Sequence, residues 1–344
     1  MVTVRLALAG VGNVGRGFLE LLRDKSPLVR DRYGLDLQLV SAADRSGVVA
    51  QAAGLDPEQL LALKQSGQGV ATYQGGQAGL SAQQMLGLVE ADVLLEATLT
   101  DLKTGQPGLD LMRAAFAQGM HVVSANKGPI VLAYRDLLAR AASAGRDLRF
   151  SAAVCGALPT VNIGQRDLVA CRIEKIEGIF NSTTNYILDA MTTGAGFEAA
   201  LAEAQRVGVA EADPSLDIEG WDTANKLVIL ANSVLGYPAQ LDEVEVIGIQ
   251  ALTPGALQAA RGANKVIKLL ALALRRPDGT YRLRVAPTPL PLEHPLARTR
   301  GWEMGIVYHT DIMGVQTASV DERGPLPTGA AMLRDVVSIY RQKG

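Results

Sequence analysis

The beginning of the chain places a glycine-rich turn between a buried strand and a helix. Val4–Ala9 is predicted to be the strand and Arg16–Asp24 the helix. Gly10 permits a tight turn, Gly12 lets the backbone approach a pyrophosphate, and Gly15 lets helix and strand pack closely. The start of the helix also offers N–H groups and partial positive charge to phosphates. The turn therefore predicts a dinucleotide-binding site made by Gly10, Val11, Gly12, Asn13, Val14 and Gly15.

A second contact with the dinucleotide is expected where the next predicted strand, Leu37–Ala43, ends. The carboxylate of Asp44 can hold the hydroxyls of the adenosine ribose, which favours NAD. The neighbouring Arg45 could instead hold a 2′-phosphate, which favours NADP, or be a solvated loop charge. The choice between NAD and NADP therefore stays open. Thr98, directly after the predicted strand Asp92–Ala97, is a further candidate contact.

The arrangement of predicted strands and helices changes at about residue 150. Before it, short apolar runs alternate with helical stretches, which is typical of a parallel sheet covered by helices. After it, strands are less strictly interleaved with helices, which indicates an α+β domain with a more antiparallel sheet. We expect an α/β chain with a Rossmann-type doubly wound domain formed by residues 1–150 plus about 321–344. Residues 151–320 should form a second, α+β domain, with the active site in the crevice between the two.

Individual elements are predicted from the same patterns. In the first domain these are a strand at His121–Ala125, helices at Gly108–Gln118 and Tyr134–Ala142, and a surface loop at Ser66–Gly79. In the second domain they are strands at Cys171–Phe180, Val244–Ile249 and Tyr281–Pro287, and helices at Trp221–Leu235 and Gly262–Leu274.

The composition excludes several classes of protein. Lys+Arg total 33 against 35 for Asp+Glu, so the chain lacks the positive charge of a dedicated nucleic-acid binder. The three histidines lie far apart in sequence, and Cys155 and Cys171 form no CxxC pair, which argues against a zinc site and favours a reducing compartment. The longest uncharged apolar run, Leu227–Leu241, is shorter than the roughly 20 residues that a membrane span needs. With no signal-like start, we expect a cytoplasmic protein that binds neither nucleic acid nor a membrane.

Two lysines are candidates for chemistry. Lys127 follows a predicted strand at the carboxyl edge of the sheet, and Gly128 and Pro129 should stop the chain there and leave the lysine in a turn. Asp222 and Lys226 are four residues apart, so they share one face of a helix. That pair could be an ordinary surface ion pair. It also lies in a crowd of acids that would suit a substrate with an ammonium group, namely Glu211, Asp213, Asp217, Glu219 and Asp222.

A polar run, Asn181–Tyr186, separates two apolar stretches. Ser182 or Thr183 could cap the helix that follows. The same hydroxyls could equally contact a ligand, and the residues alone leave both readings open.

Four blocks of the sequence together resemble the homoserine dehydrogenase family. They stand in the family's order and spacing, and they are Gly10–Gly15, Asn126–Pro129, Glu177–Leu188, and Gly208–Pro214 extended through Asp222 and Lys226. The resemblance continues through His294–Ala297 and Pro327–Ala331, so it covers nearly the whole chain. It implies the reversible reduction of L-aspartate 4-semialdehyde to L-homoserine by NAD(P)H, on the route to threonine and methionine. It also implies a homodimer, formed through the second domain, and a final helix at about 329–341 that packs on the first.

The resemblance assigns roles to several residues. It implies that Lys226 and Lys127 act at the reacting oxygen, one donating a proton and the other polarising it, and Lys226 is the preferred proton donor. Free lysine has a pKa of about 10.4, so it starts protonated in the reducing direction. Glu211 and Asp222 resemble the carboxylates that orient the substrate's ammonium group and the catalytic lysine. Thr183 matches a substrate contact, and Asp217 is a further candidate for substrate binding.

The sequence departs from the family pattern in three places. The family often has a glutamate at the start of a loop whose carbonyl oxygens hold sodium, and Ser151 stands there, which puts the ion in doubt. Its remaining ligands would be the carbonyls of Val154, Gly156 and Leu158. A late glycine cluster is reduced to Gly324, the one residue that carries over near the nicotinamide. The small regulatory domain of longer members is also expected to be missing.

Four other functions share parts of this pattern. An aspartate-semialdehyde dehydrogenase needs a nucleophilic cysteine, and Cys155 is the candidate, but nothing near it in sequence reads as an activating base. A non-catalytic NAD(P)-binding sensor would dispense with the acids and lysines of the second half. A methyltransferase would not explain them either. An NAD(P) dehydrogenase acting on another small amino-acid aldehyde is the remaining alternative.

Overall fold

The computed structural model describes residues 1–341. Its contacts divide the chain into two compact units. The first contains Met1–Ala157 together with the chain from Gly324 onward, and the second contains Leu158–Arg323. Among residues 1–341, no helix combines the length and the apolar character that crossing a bilayer requires.

Thirteen strands are formed in the described chain. They are β1 (Val2–Ala9), β2 (Leu35–Asp44), β3 (Gly47–Ala50), β4 (Gln77–Ala78), β5 (Val93–Glu96), β6 (His121–Ser124), β7 (Leu148–Arg149), β8 (Ile173–Ile179), β9 (Glu245–Val246), β10 (Lys265–Arg275), β11 (Tyr281–Pro291), β12 (Glu303–Thr310) and β13 (Val315–Asp321).

Twelve α-helices accompany them, some of a single turn. They are α1 (Asn13–Tyr33), α2 (Pro57–Gln65), α3 (Ala82–Met85), α4 (Gly108–Ala117), α5 (Lys127–Ser143), α6 (Thr160–Asn162), α7 (Ser182–Thr192), α8 (Phe197–Arg206), α9 (Ser215–Ile218), α10 (Trp221–Ser233), α11 (Pro254–Gly262) and α12 (Leu326–Arg341).

The first unit is built on a seven-stranded sheet with the order β4-β3-β2-β1-β5-β6-β7. The strands from β2 to β7 in that order run parallel, while β3 and β4 add an antiparallel edge. The chain leaves β1 toward β2 on one side and later returns to β5 on the other, so the strand order reverses at β1. Ligands of doubly wound sheets bind at the carboxyl ends of the strands at such a reversal. The expected Rossmann-type sheet is confirmed.

Two helices of the first unit cross at glycines. A Cβ on Gly17 of α1 would lie 3.1 Å from the backbone oxygen of Pro325, and one on Gly329 of α12 would lie 2.9 Å from the backbone nitrogen of Phe18. The helices can approach this closely because neither glycine carries a side chain. The late helix thereby joins the core of the first unit, where Met332 and Val336 are fully buried beside Phe18.

The second unit contains a six-stranded sheet with the order β13-β12-β8-β10-β11-β9. All neighbouring pairs are antiparallel except β9 with β11. Helix α7 follows β8 in the chain, and α10 follows α9. These two helices carry most of the polar residues discussed below. An α+β unit with a mainly antiparallel sheet agrees with the predicted fold class.

One long element of the second unit was predicted wrongly. The stretch Gly262–Leu274 was expected to be a helix, but α11 ends at Gly262 and β10 occupies Lys265–Arg275. Successive residues of a strand point to opposite faces, and those from Val266 to Ala271 are all buried, so both faces of β10 are covered along most of its length and the run is apolar without alternation. Such a run cannot be distinguished from a buried helix by periodicity.

The predicted surface loop Ser66–Gly79 is mostly irregular. It also contains a 3-10 turn at Val70–Thr72 and the short strand β4, which extends the sheet edge through β3.

Candidate active site

The glycine turn has the geometry that a dinucleotide needs. Gly10 has a φ of 93°, and a Cβ there would lie 2.2 Å from the backbone oxygen of Ala97. A Cβ on Gly15 would lie 2.1 Å from the backbone oxygen of Gly10. Apart from Gly12 itself and its two neighbours in the chain, no heavy atom of the described residues lies within 4 Å of the place where a Cβ of Gly12 would be. The turn is therefore closed on the protein side and open at Gly12, where α1 begins, so its residues fit a pyrophosphate.

The carboxylate of Asp44 at the end of β2 is paired with a lysine that the sequence did not bring to attention. Lys64 Nζ donates to Asp44 Oδ2 at 2.6 Å, and the backbone nitrogen of Ser46 donates to Oδ1 at 2.8 Å. Burial raises the pKa of Asp44, but the hydrogen bonds from Lys64 and Ser46 outweigh it and hold the pKa below its ordinary value. Arg45 is exposed. The end of β2 thus has two cations and one carboxylate close to it in sequence or in space.

A buried carboxyl group lies at the end of β5. Glu96 is fully buried, accepts a hydrogen bond from the backbone nitrogen of Thr98 at 2.9 Å and a second one from the Thr98 hydroxyl, and accepts from Ser124 Oγ at 3.1 Å. Burial raises the pKa of the Glu96 carboxyl, and the hydrogen bonds oppose that shift without reversing it. The candidate contact Thr98 is therefore held by a carboxyl group that sequence reasoning missed.

Lys127 is the first residue of α5, which corrects the expectation of a turn at this position. Asn126 caps the helix, because its Oδ1 accepts from the backbone nitrogen of Gly128 at 3.1 Å. Pro129 does not stop the chain, since a proline in the first helical turn removes an N–H that has no partner within the helix. Asn126 Nδ2 also lies 3.4 Å from Glu96 Oε1. The same buried carboxyl group thus contacts both Thr98 and the residue before Lys127.

In the second unit, Asp222 and Lys226 form a buried ion pair on α10. Lys226 Nζ lies 2.7 Å from Asp222 Oδ2, and it also donates to the backbone oxygen of Phe180 at 2.6 Å. The two side chains are 14% and 5% exposed, so this is not a surface pair whose interaction water would screen. The ammonium group is anchored from both α10 and the end of β8.

An asparagine joins two carboxylates beside that ion pair. Asn181 Nδ2 donates to Asp217 Oδ1 at 2.7 Å and to Asp222 Oδ2 at 2.9 Å. Burial raises the pKa of Asp217, the negative charge of Asp222 raises it further, and Lys226 opposes both. Two carboxylates, one ammonium group and one amide therefore form a compact polar cluster in this unit.

The remaining residues of the polar run have separate tasks. The cap of α7 is Asn181, whose Oδ1 accepts from the backbone nitrogen of Thr184 at 2.9 Å, and not Ser182 or Thr183 as considered from the sequence. Thr183 Oγ1 donates to the backbone oxygen of Val209 at 2.8 Å, and this hydrogen bond connects α7 to the segment that leads into Glu211. Glu211 is exposed, and within residues 1–341 its side chain forms no hydrogen bond or ion pair, so it does not join the Lys226 cluster in this structure.

A third lysine, Lys268, contacts the polar run Asn181–Tyr186 from the sheet of the second unit. Lys268 of β10 is 1% exposed, and its Nζ donates to Asn185 Oδ1 at 2.7 Å and to the backbone oxygen of Thr299 at 2.6 Å. Burial lowers the pKa of Lys268. A lysine inside an otherwise apolar strand indicates that its ammonium group has a buried polar partner. This signal was not recognised because the stretch was predicted to be a helix.

The loop that would hold sodium does not fit that ion. Ser151 Oγ donates to Asp335 Oδ1 at 2.7 Å and accepts from Arg334 Nη2 at 3.0 Å, so its hydroxyl is engaged within the protein and a guanidinium already contacts the residue that stands in place of the glutamate. Val154 and Gly156 are buried in the same loop, and Leu158 opens the second unit. Gly324, with a φ of 73°, is exposed between β13 and α12.

Comparisons with known proteins agree with the resemblance seen in the sequence. The sequence profile of the homoserine dehydrogenase family matches residues 159–337. A homoserine dehydrogenase of Methanocaldococcus jannaschii is 36% identical over 97% of this chain and 98% of its own length. An NAD(+)-dependent homoserine dehydrogenase of Pseudomonas canavaninivorans is 33% identical over 99% of this chain and 97% of its own. The crystal structure of a homoserine dehydrogenase from Thiobacillus denitrificans matches with a TM-score of 0.84 at 33% identity, over 99% of this chain and 74% of that one. The chain therefore belongs to the homoserine dehydrogenase family.

Proposed function

We propose that this chain catalyses the NAD(P)-dependent interconversion of L-homoserine and L-aspartate 4-semialdehyde. The observation that carries the proposal is the buried Lys226–Asp222 pair, bridged by Asn181 to Asp217. A sensor that only bound the dinucleotide would have no use for a buried ammonium group anchored by two separate elements.

The first unit would hold the coenzyme, with the pyrophosphate at the Gly10–Gly15 turn and the adenosine ribose at Asp44. When bound, the nicotinamide supplies or accepts the hydride. Thr98 and Gly324 are the further contacts that we propose near that ring. NAD and NADP are both compatible with the end of β2, because Lys64 offsets the charge of Asp44.

The second unit would bind the substrate and manage its proton. In the reducing direction Lys226 donates a proton to the developing alkoxide, and in the oxidising direction the neutral amine takes the proton from the hydroxyl group. Asp222 orients the ammonium group through the 2.7 Å contact. The resemblance gives Lys127 a part at the same oxygen, and we retain it as a proposal.

The substrate's own ammonium group requires an anionic partner. Asn181 joins the carboxylates of Asp217 and Asp222 beside Lys226, so we propose that they, with Glu211 and Thr183, select an amino acid over a simple alcohol. Glu211 is exposed, so this role would require its side chain to turn toward the cluster.

The assembly and the location are proposals as well. We propose a cytoplasmic homodimer that uses the second unit for contact and takes only small molecules as substrates, with no resident metal ion. The hairpin between β12 and β13 is the candidate contact, because it exposes Ile312, Met313 and Val315.

The first test is homoserine oxidation followed by nicotinamide absorbance, with NAD and NADP in parallel. We expect Lys226→Ala to lower kcat by about 10²–10⁴ while the coenzyme still binds, because general acid–base catalysis contributes about that much. Lys265→Ala, which removes an exposed lysine at the start of β10, is the matched control and should keep its activity. Tight coenzyme binding by native protein that turns over no homoserine would instead indicate a sensor or another aldehyde substrate.

A further inference from the structure

The loop that follows β7 has a backbone that needs outside support. Cys155 has a φ of 60° and Gly156 one of 51°, so two consecutive residues are left-handed. Only the second is a glycine, and a cysteine in this region is strained. Because Cys155 is also buried, water cannot reach the backbone of this turn to form hydrogen bonds with it. Such a conformation persists when neighbouring groups hold the ends of the loop.

Two adjacent residues of α12 hold those ends. Asp335 accepts from the backbone nitrogen of Ser151 at 2.9 Å and from its hydroxyl at 2.7 Å. Arg334 donates through Nη2 to Ser151 Oγ at 3.0 Å and through Nη1 to the backbone oxygen of Ala157 at 3.2 Å. One guanidinium therefore joins the first and last residues of the loop 151–157, and a planar group with two donors is suited to that task.

The charges explain why a metal ion would not bind beside this group. Asp335 is 1% exposed, and the positive charges of Arg334 and Arg149 act on it. Arg149 is paired with Asp147 at 2.9 Å, so Arg334 is the cation that remains beside Asp335. A sodium ion would add a further positive charge beside Arg334, and Ser151 contributes no charge of its own. Like charges at short range in a buried site are strongly unfavourable.

We propose that Arg334 is a built-in cation that closes the 151–157 loop in place of a bound monovalent ion, so that this chain needs neither sodium nor potassium. The inference rests on the proposed function only in supposing that the loop supports catalysis. The guanidinium holds an oxygen at each end of the loop, as carbonyl ligands would be held by an ion. Arg334 acts through the loop and is therefore a positioning residue.

The native protein gives the direct test. Its melting midpoint and homoserine turnover should stay the same when choline chloride is replaced by sodium or potassium chloride at constant ionic strength. A saturable rise of the midpoint with sodium would overturn the proposal. The melting measurement needs no turnover, so the result stands even if the enzyme proves to use another substrate.

Arg334→Met tests the guanidinium itself. We expect a midpoint lower by roughly 3–8 °C, because two hydrogen bonds from a charged donor are lost. Arg140→Met, which removes a half-exposed guanidinium from α5, is the matched control and should change the midpoint little. An Arg334→Met protein as stable as the native one would mean that the guanidinium holds nothing.

A double variant tests the exchange of one cation for another. Ser151→Glu combined with Arg334→Ala removes the internal cation and adds a carboxylate, and its midpoint should rise with sodium but not with choline. A merely structural role of Arg334 would give no such ion-specific response. A folded double variant that ignores sodium would overturn the exchange.

Discussion

At the scale of single residues, some polar contacts of the first unit are made by side chains that belong to no sequence motif. Lys64 lies 20 positions from Asp44, and Glu96 lies 30 from Asn126. The glycines and Asp44 could be predicted because each stands at a fixed place in a strand–turn–helix unit. Lys64 and Glu96 could not, because only the packing of β2, α2 and β5 brings them to their partners.

Lys64 should influence the choice of coenzyme. Its ammonium group offsets the carboxylate of Asp44, so Lys64→Met would leave a negative charge where a 2′-phosphate would bind. We expect kcat/KM for NADP to fall by about tenfold or more while that for NAD changes little. Initial rates with both coenzymes measure the ratio, and Lys25→Met on the exposed face of α1 is the control. An unchanged ratio would show that Lys64 does not face the ribose.

Glu96 should make stability depend on pH. Because its pKa is raised, the folded chain keeps a proton that the unfolded chain releases above its ordinary pKa of about 4.3. Stability is therefore lost as the pH rises toward the raised pKa. Glu96→Gln is neutral throughout, so its melting midpoint relative to the native one should climb as the pH rises above about 4.3 and should level off once the pH has passed the raised pKa of Glu96.

The matched control for this comparison is Glu293→Gln, because Glu293 is exposed and its side chain forms no ion pair within residues 1–341, so its replacement should leave the midpoint nearly unchanged at each pH. A Glu96→Gln difference equally flat across the series would show that Glu96 is already ionised in the folded protein.

At the scale of elements, the sequence predicts those parts whose periodicity is unambiguous. The Rossmann-type sheet is predicted well, since β1, the glycine turn and α1 follow a pattern that few alternatives share. The strand β10 is mistaken for a helix because a strand covered on both faces has no alternation to detect. For the candidate site, the spacing of Asp222 and Lys226 predicts their shared face. Burial of the pair and the bridge through Asn181 depend on tertiary packing.

The crossing of α1 and α12 should be sensitive to a single methyl group. In Gly329→Ala the new Cβ would lie 2.9 Å from the backbone nitrogen of Phe18, so the helices must separate. We expect a loss of about 1–3 kcal/mol in the free energy of unfolding, measured by urea denaturation.

The control is Gly255→Ala in α11, where the nearest atom to a new Cβ, Thr253 Oγ1, lies 3.9 Å away. That substitution should be neutral or stabilising by up to ~1 kcal/mol, since alanine favours helices. Equal effects of the two substitutions would mean that the helix crossing tolerates the methyl group.

At the scale of the whole molecule, the chain forms two units with separate apolar cores. One core lies around β1, α1 and α12, and the other includes Ile179, Leu270 and Val307. The sequence predicts the boundary between the two domains near residue 150, whereas the contacts within the structure divide the chain into its two units after Ala157. Neither composition nor periodicity distinguishes these positions, because the residues between them form an irregular loop.

The proposed homodimer should depend on the β12–β13 hairpin. Ile312 is 70% exposed and Val315 56%, and β13 lies at the edge of its sheet, where backbone groups can pair with a second copy. We expect light scattering to give twice the chain mass for the native protein and the monomer mass for Ile312→Asp combined with Met313→Asp.

Leu28→Asp, on the exposed side of α1 in the other unit, is the control and should remain a dimer. A native protein of monomer mass would reject the dimer itself, whereas a hairpin variant that stays dimeric would place the contact elsewhere on the chain.

The return of α12 to the first unit also sets an order of events during synthesis. The ribosome delivers β1 and α1 first, then the entire second unit, and only afterwards residues 326–341. Until then the face of α1 around Gly17 and Phe18 has no covering helix, so the nascent first unit remains incomplete and exposes apolar surface. The second unit, whose residues are contiguous, can fold in the meantime. We infer that the half of the enzyme synthesised first is completed last, and that chaperones would meet it in that interval.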